Sequence, residues 1–248
     1  MEILNVQNLF ILGMVLPVLA FVYSSVGHGG ASGYLALMAL MSFPLIFMKP
    51  TALILNIAVS GFAFWFFKKN RHFEWRLFYP FAITSIPAAF IGGFISIDHL
   101  MYRQILGIFL LIAVLRIAGV FGKRSERVRS LKVGPALAIG SIIGLFSGMI
   151  GIGGGIILTP VILLLGWGNV KQAAAVSALF ILVNSIAGII GFLFNGYQIP
   201  AESFLLVPIV LTGGVLGAFY GSNKFSPVVL KYVLSAVLVL GFIKLLNF

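Results

Sequence analysis

Long apolar runs follow one another along this chain of 248 residues, separated by short polar or glycine-rich breaks. In the first half the runs cover 9–26, 34–47, 51–67, 77–97 and 101–121. Between them lie Gly27-His28-Gly29-Gly30-Ala31-Ser32-Gly33, the pair Lys49-Pro50, the basic loop 68–76 and a tight Asp98-His99 turn. A polar stretch at 122–132 follows. The second half then runs 133–150, the break Gly151-Ile152-Gly153-Gly154-Gly155, the short run 156–165, and 171–193, 203–221 and 227–246. Period-two alternation is absent, and the runs are too long for barrel strands. A helix crosses the hydrocarbon core with roughly 20 apolar residues. The pattern predicts an all-α, polytopic membrane protein of about eight to ten membrane segments, two of them broken by glycine.

The two halves repeat each other. Val26-Gly27-His28-Gly29-Gly30-Ala31 matches Ile150-Gly151-Ile152-Gly153-Gly154-Gly155. Ala88, Gly92 and Ser96 match Gly213, Gly217 and Gly221, and Arg103 and Arg116 match Lys231 and Lys244. Asn56 and Asn184 fall in equivalent segments. The expected organisation is a first repeat at 1–121, a cytoplasmic basic linker at 122–132 and a second repeat at 133–248. Such duplication is common in secondary transporters.

Composition excludes other classes. Apolar residues make up 61% of the chain and charged residues 8%, with mean hydropathy +1.16. A soluble fold of this size would lack a polar shell. Soluble enzymes, nucleic-acid binders and disordered chains are thereby set aside. The 16 basic residues against 5 acidic ones mark cytoplasmic loops rather than nucleic-acid contacts. Without cysteine there is no disulfide or thiolate site. The start, Met1-Glu2-Ile3-Leu4-Asn5, has no basic region of the signal-peptide kind and reads as mature sequence.

Charge also tests the orientation of the repeat. If each broken pair is a hairpin, the halves are inverted, and only Lys49, Arg103 and Lys244 of the 16 basic residues fall outside. If each broken pair crosses once, the halves are parallel, and 5 of the 16 fall outside. Basic residues concentrate on the cytoplasmic side, so the split favours inversion and places Asn223-Lys224 inside.

The breaks carry the sharpest chemical signal. Each glycine costs a helix about 1 kcal/mol relative to alanine. Backbone freed at membrane depth must be satisfied by protein or by water in a cavity. Gly27, Gly29 and Gly30, and Gly151, Gly153, Gly154 and Gly155, are therefore candidate binding positions. Helices starting at Tyr34 and Ile156 would direct N-terminal N–H groups at an anion. Ser24, Ser25 and Ser32 flank the first break, Ser147 lies near the second, and Asn56, Ser177 and Asn184 lie in the following helices. Hydroxyls and amides can donate to an oxyanion, while no carboxylate falls mid-span to serve a cation. His28 has no counterpart, since Ile152 takes its place. With an unperturbed pKa of about 6.5, it is a candidate both to bind the anion as a donor and to couple a proton, beside a plain structural role in the turn. His72 and His99 are loop residues, and the three histidines form no metal-ligand pattern; no cofactor motif appears. Gly140, Gly144 and Gly148, like Gly213, Gly217 and Gly221, form faces that let helices approach closely. Trp65, Trp75 and Trp167 read as interfacial anchors.

Three stretches carry a family resemblance: residues 26–33, Lys49-Pro50-Thr51-Ala52-Leu53 with Asn56, and Gly148 through Gly155 followed by Lys171-Gln172-Ala173. With them the chain resembles the sulfite exporter TauE/SafE family, also called the toluene sulfonate uptake permease family, over essentially its whole length. The resemblance implies a multi-pass transporter of the bacterial or archaeal inner membrane that moves small sulfur-containing anions such as sulfite or sulfonates. The first break departs from the usual all-glycine form at His28 and Ala31-Ser32. The expected partners are the lipid bilayer and a small anion, with a homodimer compatible. The reading is alternating access; a passive anion channel or a non-transporting subunit is the alternative. No nucleophile–base pair, metal cluster or cofactor motif points to an enzyme.

Overall fold

The computed structural model describes residues 6–95 and 129–226, together with Gln104 and a few positions between 228 and 236. Among these residues every regular element is a helix. The first half has α1 (Val6–Ser25), α2 (Ala31–Leu40), α3 (Leu45–Lys69) and α4 (Trp75–Phe94). The second has α5 (Val133–Ile150), α6 (Gly155–Leu165), α7 (Val170–Phe194) and α8 (Glu202–Phe219), which continues as a π-helical turn, Tyr220–Lys224. Six of the helices, all but α2 and α6, are long and apolar enough to cross a membrane. At 10 and 11 residues, α2 and α6 reach about 15 Å, half the hydrocarbon thickness. The expected segments at 101–121 and 227–246, the Asp98-His99 turn, most of the linker and the repeated Arg103, Arg116, Lys231 and Lys244 lie outside the described residues.

The breaks fall where glycine allows the chain to turn back. Gly27 and Gly30 have φ of 78° and 98°, and Gly151, Gly153 and Gly154 have 85°, 73° and 77°. These are left-handed conformations that a side chain disfavours. Ser32 Oγ donates to Tyr23 Oη (2.9 Å) across the first turn, folding the start of α2 against the end of α1.

Two boundaries differ from the sequence reading: α2 starts at Ala31 rather than Tyr34, so Ala31-Ser32-Gly33 belong to the helix and not to the break, and the stop between α2 and α3 is set elsewhere. Lys49-Pro50 does not end a helix but lies inside α3, which starts at Leu45. The stop is set six residues earlier by Pro44, which holds Phe43 out of the helical region. Ser42 turns the chain there with φ 59°. Pro50 is the sixth residue of α3, in its second turn, and removes the N–H that would bond back to the first turn.

The small-residue faces decide the packing. The Cα positions of Gly213, Gly217 and Gly221 press in order on the carbonyls of Pro17, Phe21 and Ser25, so α8 runs parallel to α1. Gly140, Gly144 and Gly148 press likewise on Phe81, Ser85 and Ala89, so α5 runs parallel to α4. Each half thus lays its first helix on the last long helix described in the other. Between these pairs α3 crosses α7. Phe67 packs with Ala174, Ala63 with Ala178, and Asn56 approaches Ser185. Ascending one helix means descending the other, so α3 and α7 are antiparallel. Trp65 and Trp75 are exposed near helix ends as anchors should be. Trp167 is not an anchor: it is buried against Phe81, ring centroids 6.0 Å apart.

Candidate functional site

Both breaks converge on one side chain. Asn56 is the twelfth residue of α3 and fully buried. Its Oδ1 accepts from the Ala31 N–H (3.1 Å), the first of α2. The Gly29 backbone lies against the same carboxamide oxygen, and a Cβ at Gly153 would sit 2.7 Å from Asn56 Nδ2. Among the described residues Asn56 Nδ2 has only a long contact to Ser185 Oγ, 3.5 Å away. The amide therefore ties the first break to the N-terminus of α2 with its oxygen and leaves its NH2 facing the second break.

A second polar link joins the halves. His28 Nε2 lies 2.9 Å from Thr159 Oγ1 in α6, which donates to Ser177 Oγ in α7 (2.7 Å). The Gly155 backbone lies beside the same imidazole. Gly27 presses on the Ala174 backbone, while Gly155 packs on Ile181 and the Ser177 carbonyl. Gly154 adjoins Ile143, Phe180 and the Cβ of Ser147. Three polar atoms in this region are buried with no hydrogen-bond partner among the described residues: His28 Nδ1, Tyr34 Oη and Ser147 Oγ; Asn184 Oδ1, in α7, is likewise unpartnered. Burying a polar group without a partner costs about 1–3 kcal/mol. Gly30 adjoins the Tyr34 hydroxyl, which places that group at the first break.

Other expected residues have different work. Ser24 Oγ donates to the Gly214 carbonyl (2.8 Å) and stitches α1 to α8. Ser25 Oγ bonds back to Val22 O (2.8 Å) within its own helix. Asn184 is the fifteenth residue of α7, not the twelfth, and its Nδ2 donates to Phe180 O (2.8 Å) on the same helix. Ile181 holds the register that Asn56 holds in α3, so the two asparagines are not structural counterparts. Thr159, Tyr34, Tyr23 and Ser185 were not singled out from the sequence. Thr159 had a usable signal, since it is the one hydroxyl in the apolar run of α6. Ser185 had none, because its approach to Asn56 depends on how α3 crosses α7.

Lys49 was also misplaced by the sequence reading. From within α3 its Nζ donates to Gly93 O (3.2 Å) and Ile95 O (3.4 Å), closing the end of α4. At the opposite end of α3, Asn70 Nδ2 donates to Ser222 Oγ (2.9 Å). His72 Nε2 lies 3.2 Å from Ser222 O, and Lys171 Nζ donates to that carbonyl at 3.2 Å. Burial pushes the His72 imidazole below its usual range; the Ser222 carbonyl opposes this and Lys171 adds to it.

Two half-length helices that meet at a buried polar junction, within a frame of six membrane-length helices, define a multi-pass membrane transporter built around irregular backbone. The chain belongs to the family described as sulfite exporter TauE/SafE, whose model matches residues 9–245. It is 38% identical over 233 residues to the probable membrane transporter protein y4hK of Sinorhizobium fredii, covering 92% of this chain and 94% of that protein. It is 30% identical over 192 residues to the probable membrane transporter protein MJ0441 of Methanocaldococcus jannaschii, covering 72% and 71%. No solved structure matches. These names indicate a transporter and not an enzyme, and an inner-membrane location fits the bacterial relative.

Proposed function

We propose that the protein moves a small sulfur-containing anion, such as sulfite or a sulfonate, across the cytoplasmic membrane by alternating access. The observation that carries this reading is the meeting of both glycine breaks at Asn56. There the Asn56 amide, the Tyr34 and Ser147 hydroxyls and the starts of α2 and α6 offer donors without a fixed charge. Helix N-termini favour negative charge. The two carboxylates among the described residues, Glu74 and Glu202, stand at the starts of α4 and α8, away from the junction.

The antiparallel run of α3 and α7 supports reading the halves as inverted repeats. Rocking one against the other would then open the junction to each face in turn. His28, through Thr159 and Ser177, spans the two halves and is the group placed to couple a proton to that motion. Titration of purified protein with sulfite, methanesulfonate and an organic cation tests the site. Saturable binding of the anions alone is expected; preference for the cation would overturn the reading.

A further inference from the structure

We infer that Lys49 is the docking cation of an anion-collecting pocket at the face where α3 begins. This rests on the anion-transport reading and adds a second, sided site to it. A cavity of about 260 Å³ opens there. Its walls include Leu35, Ile46, Ile95, Ile150, Phe192 and Tyr197, and Lys49 is its one charged lining residue among the described residues. Ile46, Ile95 and Tyr197 are exposed at its rim. The Lys49 ammonium has three N–H groups. The Gly93 and Ile95 carbonyls take two, and the charge stands 5.8 Å from the centre of the Phe192 ring.

The pocket adjoins the candidate binding region directly. Gly151, which opens the second break, lies against the Lys49 stem and carbonyl, and Ile150 lines the cavity. An oxyanion held at Lys49 is therefore beside the backbone that leads to Asn56. The wall residues are apolar, so the ligand class is a small oxyanion with room for a short apolar group. The second half has a comparable tie that is out of register, since Lys171 is the second residue of α7 and Lys49 the fifth of α3. Lys171, near the start of α7, donates to the Ser222 carbonyl at the end of the α8 turn, as Lys49 does at the end of α4. Because α3 and α7 are antiparallel, the two lysines stand at opposite faces.

The test is sidedness. Sulfite uptake is measured in right-side-out and inside-out vesicles for wild type and Lys49→Gln, with Ser42→Cys labelling assigning the face. Glutamine keeps an NH2 donor on a side chain one bond shorter and removes the charge. KM is expected to rise about tenfold or more from the face where α3 begins and to stay within about twofold from the other. Equal changes from both faces, or none, overturn the inference, since a residue that merely ties α4 has no side preference.

A transport-independent arm uses Tyr197→Cys in this cysteine-free chain, labelled with an impermeant maleimide. Butanesulfonate should slow labelling, and Lys49→Gln should remove that protection. Normal flux without protection sinks the pocket alone. Protection without flux of any anion sinks the transport reading and leaves the pocket standing.

Discussion

Asn56→Asp separates a structural role for this residue from a role in holding the substrate. The substitution is nearly isosteric. It retains the oxygen that accepts from the Ala31 N–H at 3.1 Å and replaces only the NH2 group that faces Gly153. As a cap for α2 the carboxylate accepts the same bond, and its stronger bond at a helix N-terminus offsets the cost of burying its charge at this fully buried position. A purely structural Asn56 therefore expects normal folding and normal transport in the variant. If the NH2 lines the anion site, a negative charge now faces a negative substrate. At about 4 Å and an effective dielectric near 20, the repulsion is about 4 kcal/mol. That is about a thousandfold in affinity. The assay pairs sulfite uptake in proteoliposomes with thermal unfolding of the same preparation. The expected result is uptake at background with Tm close to wild type. Uptake within a few-fold of wild type would refute the reasoning and leave Asn56 as a cap.

Other substitutions follow from the same contacts. Gly153→Leu must place a side chain at φ 73° against Asn56, Ile181 and Ser185; it should abolish uptake, and near-normal uptake would remove the second break from the site. Gly217→Leu would drive α8 off Phe21 and Ser24 at a cost of about 1–3 kcal/mol or more, read as lowered Tm and yield. Gly61→Ala is the matched control: a Cβ there meets no atom within 4 Å, and helix propensity predicts a gain of about 0.5–1 kcal/mol with unchanged uptake. His28→Ala should weaken the dependence of uptake on a pH gradient while sulfite binding persists; an unchanged gradient response would remove the histidine from coupling.

Much of the fold is legible because glycine leaves so little freedom. Breaks such as Gly27-His28-Gly29-Gly30 and Gly151 through Gly155 cannot continue a helix, and five of these glycines hold left-handed backbone. The row Gly213, Gly217 and Gly221 likewise announces a close helix contact. The row does not say which helix it meets, and the partner proves to be α1 of the other half. The errors share that cause. Lys49 looks like a loop residue beside a proline, yet it lies in a helix because Pro44 is the proline that stops the chain. Asn184 looks like the partner of Asn56, but the start of α7 at Val170 sets it three residues out of register. Trp167 resembles an anchor until Phe81 covers it. Register across a crossing of helices is a tertiary property, and short-range sequence pattern does not encode it.

The claim that the junction at Asn56 alternates between faces is tested most directly by counterflow. Proteoliposomes loaded with unlabelled sulfite are diluted into trace labelled sulfite, with no net gradient of charge. An alternating site should accumulate label transiently above equilibrium, with the overshoot growing with internal sulfite and vanishing in Asn56→Asp. Label that rises only to equilibrium, at a rate indifferent to internal sulfite, would show an open pore and contradict the account.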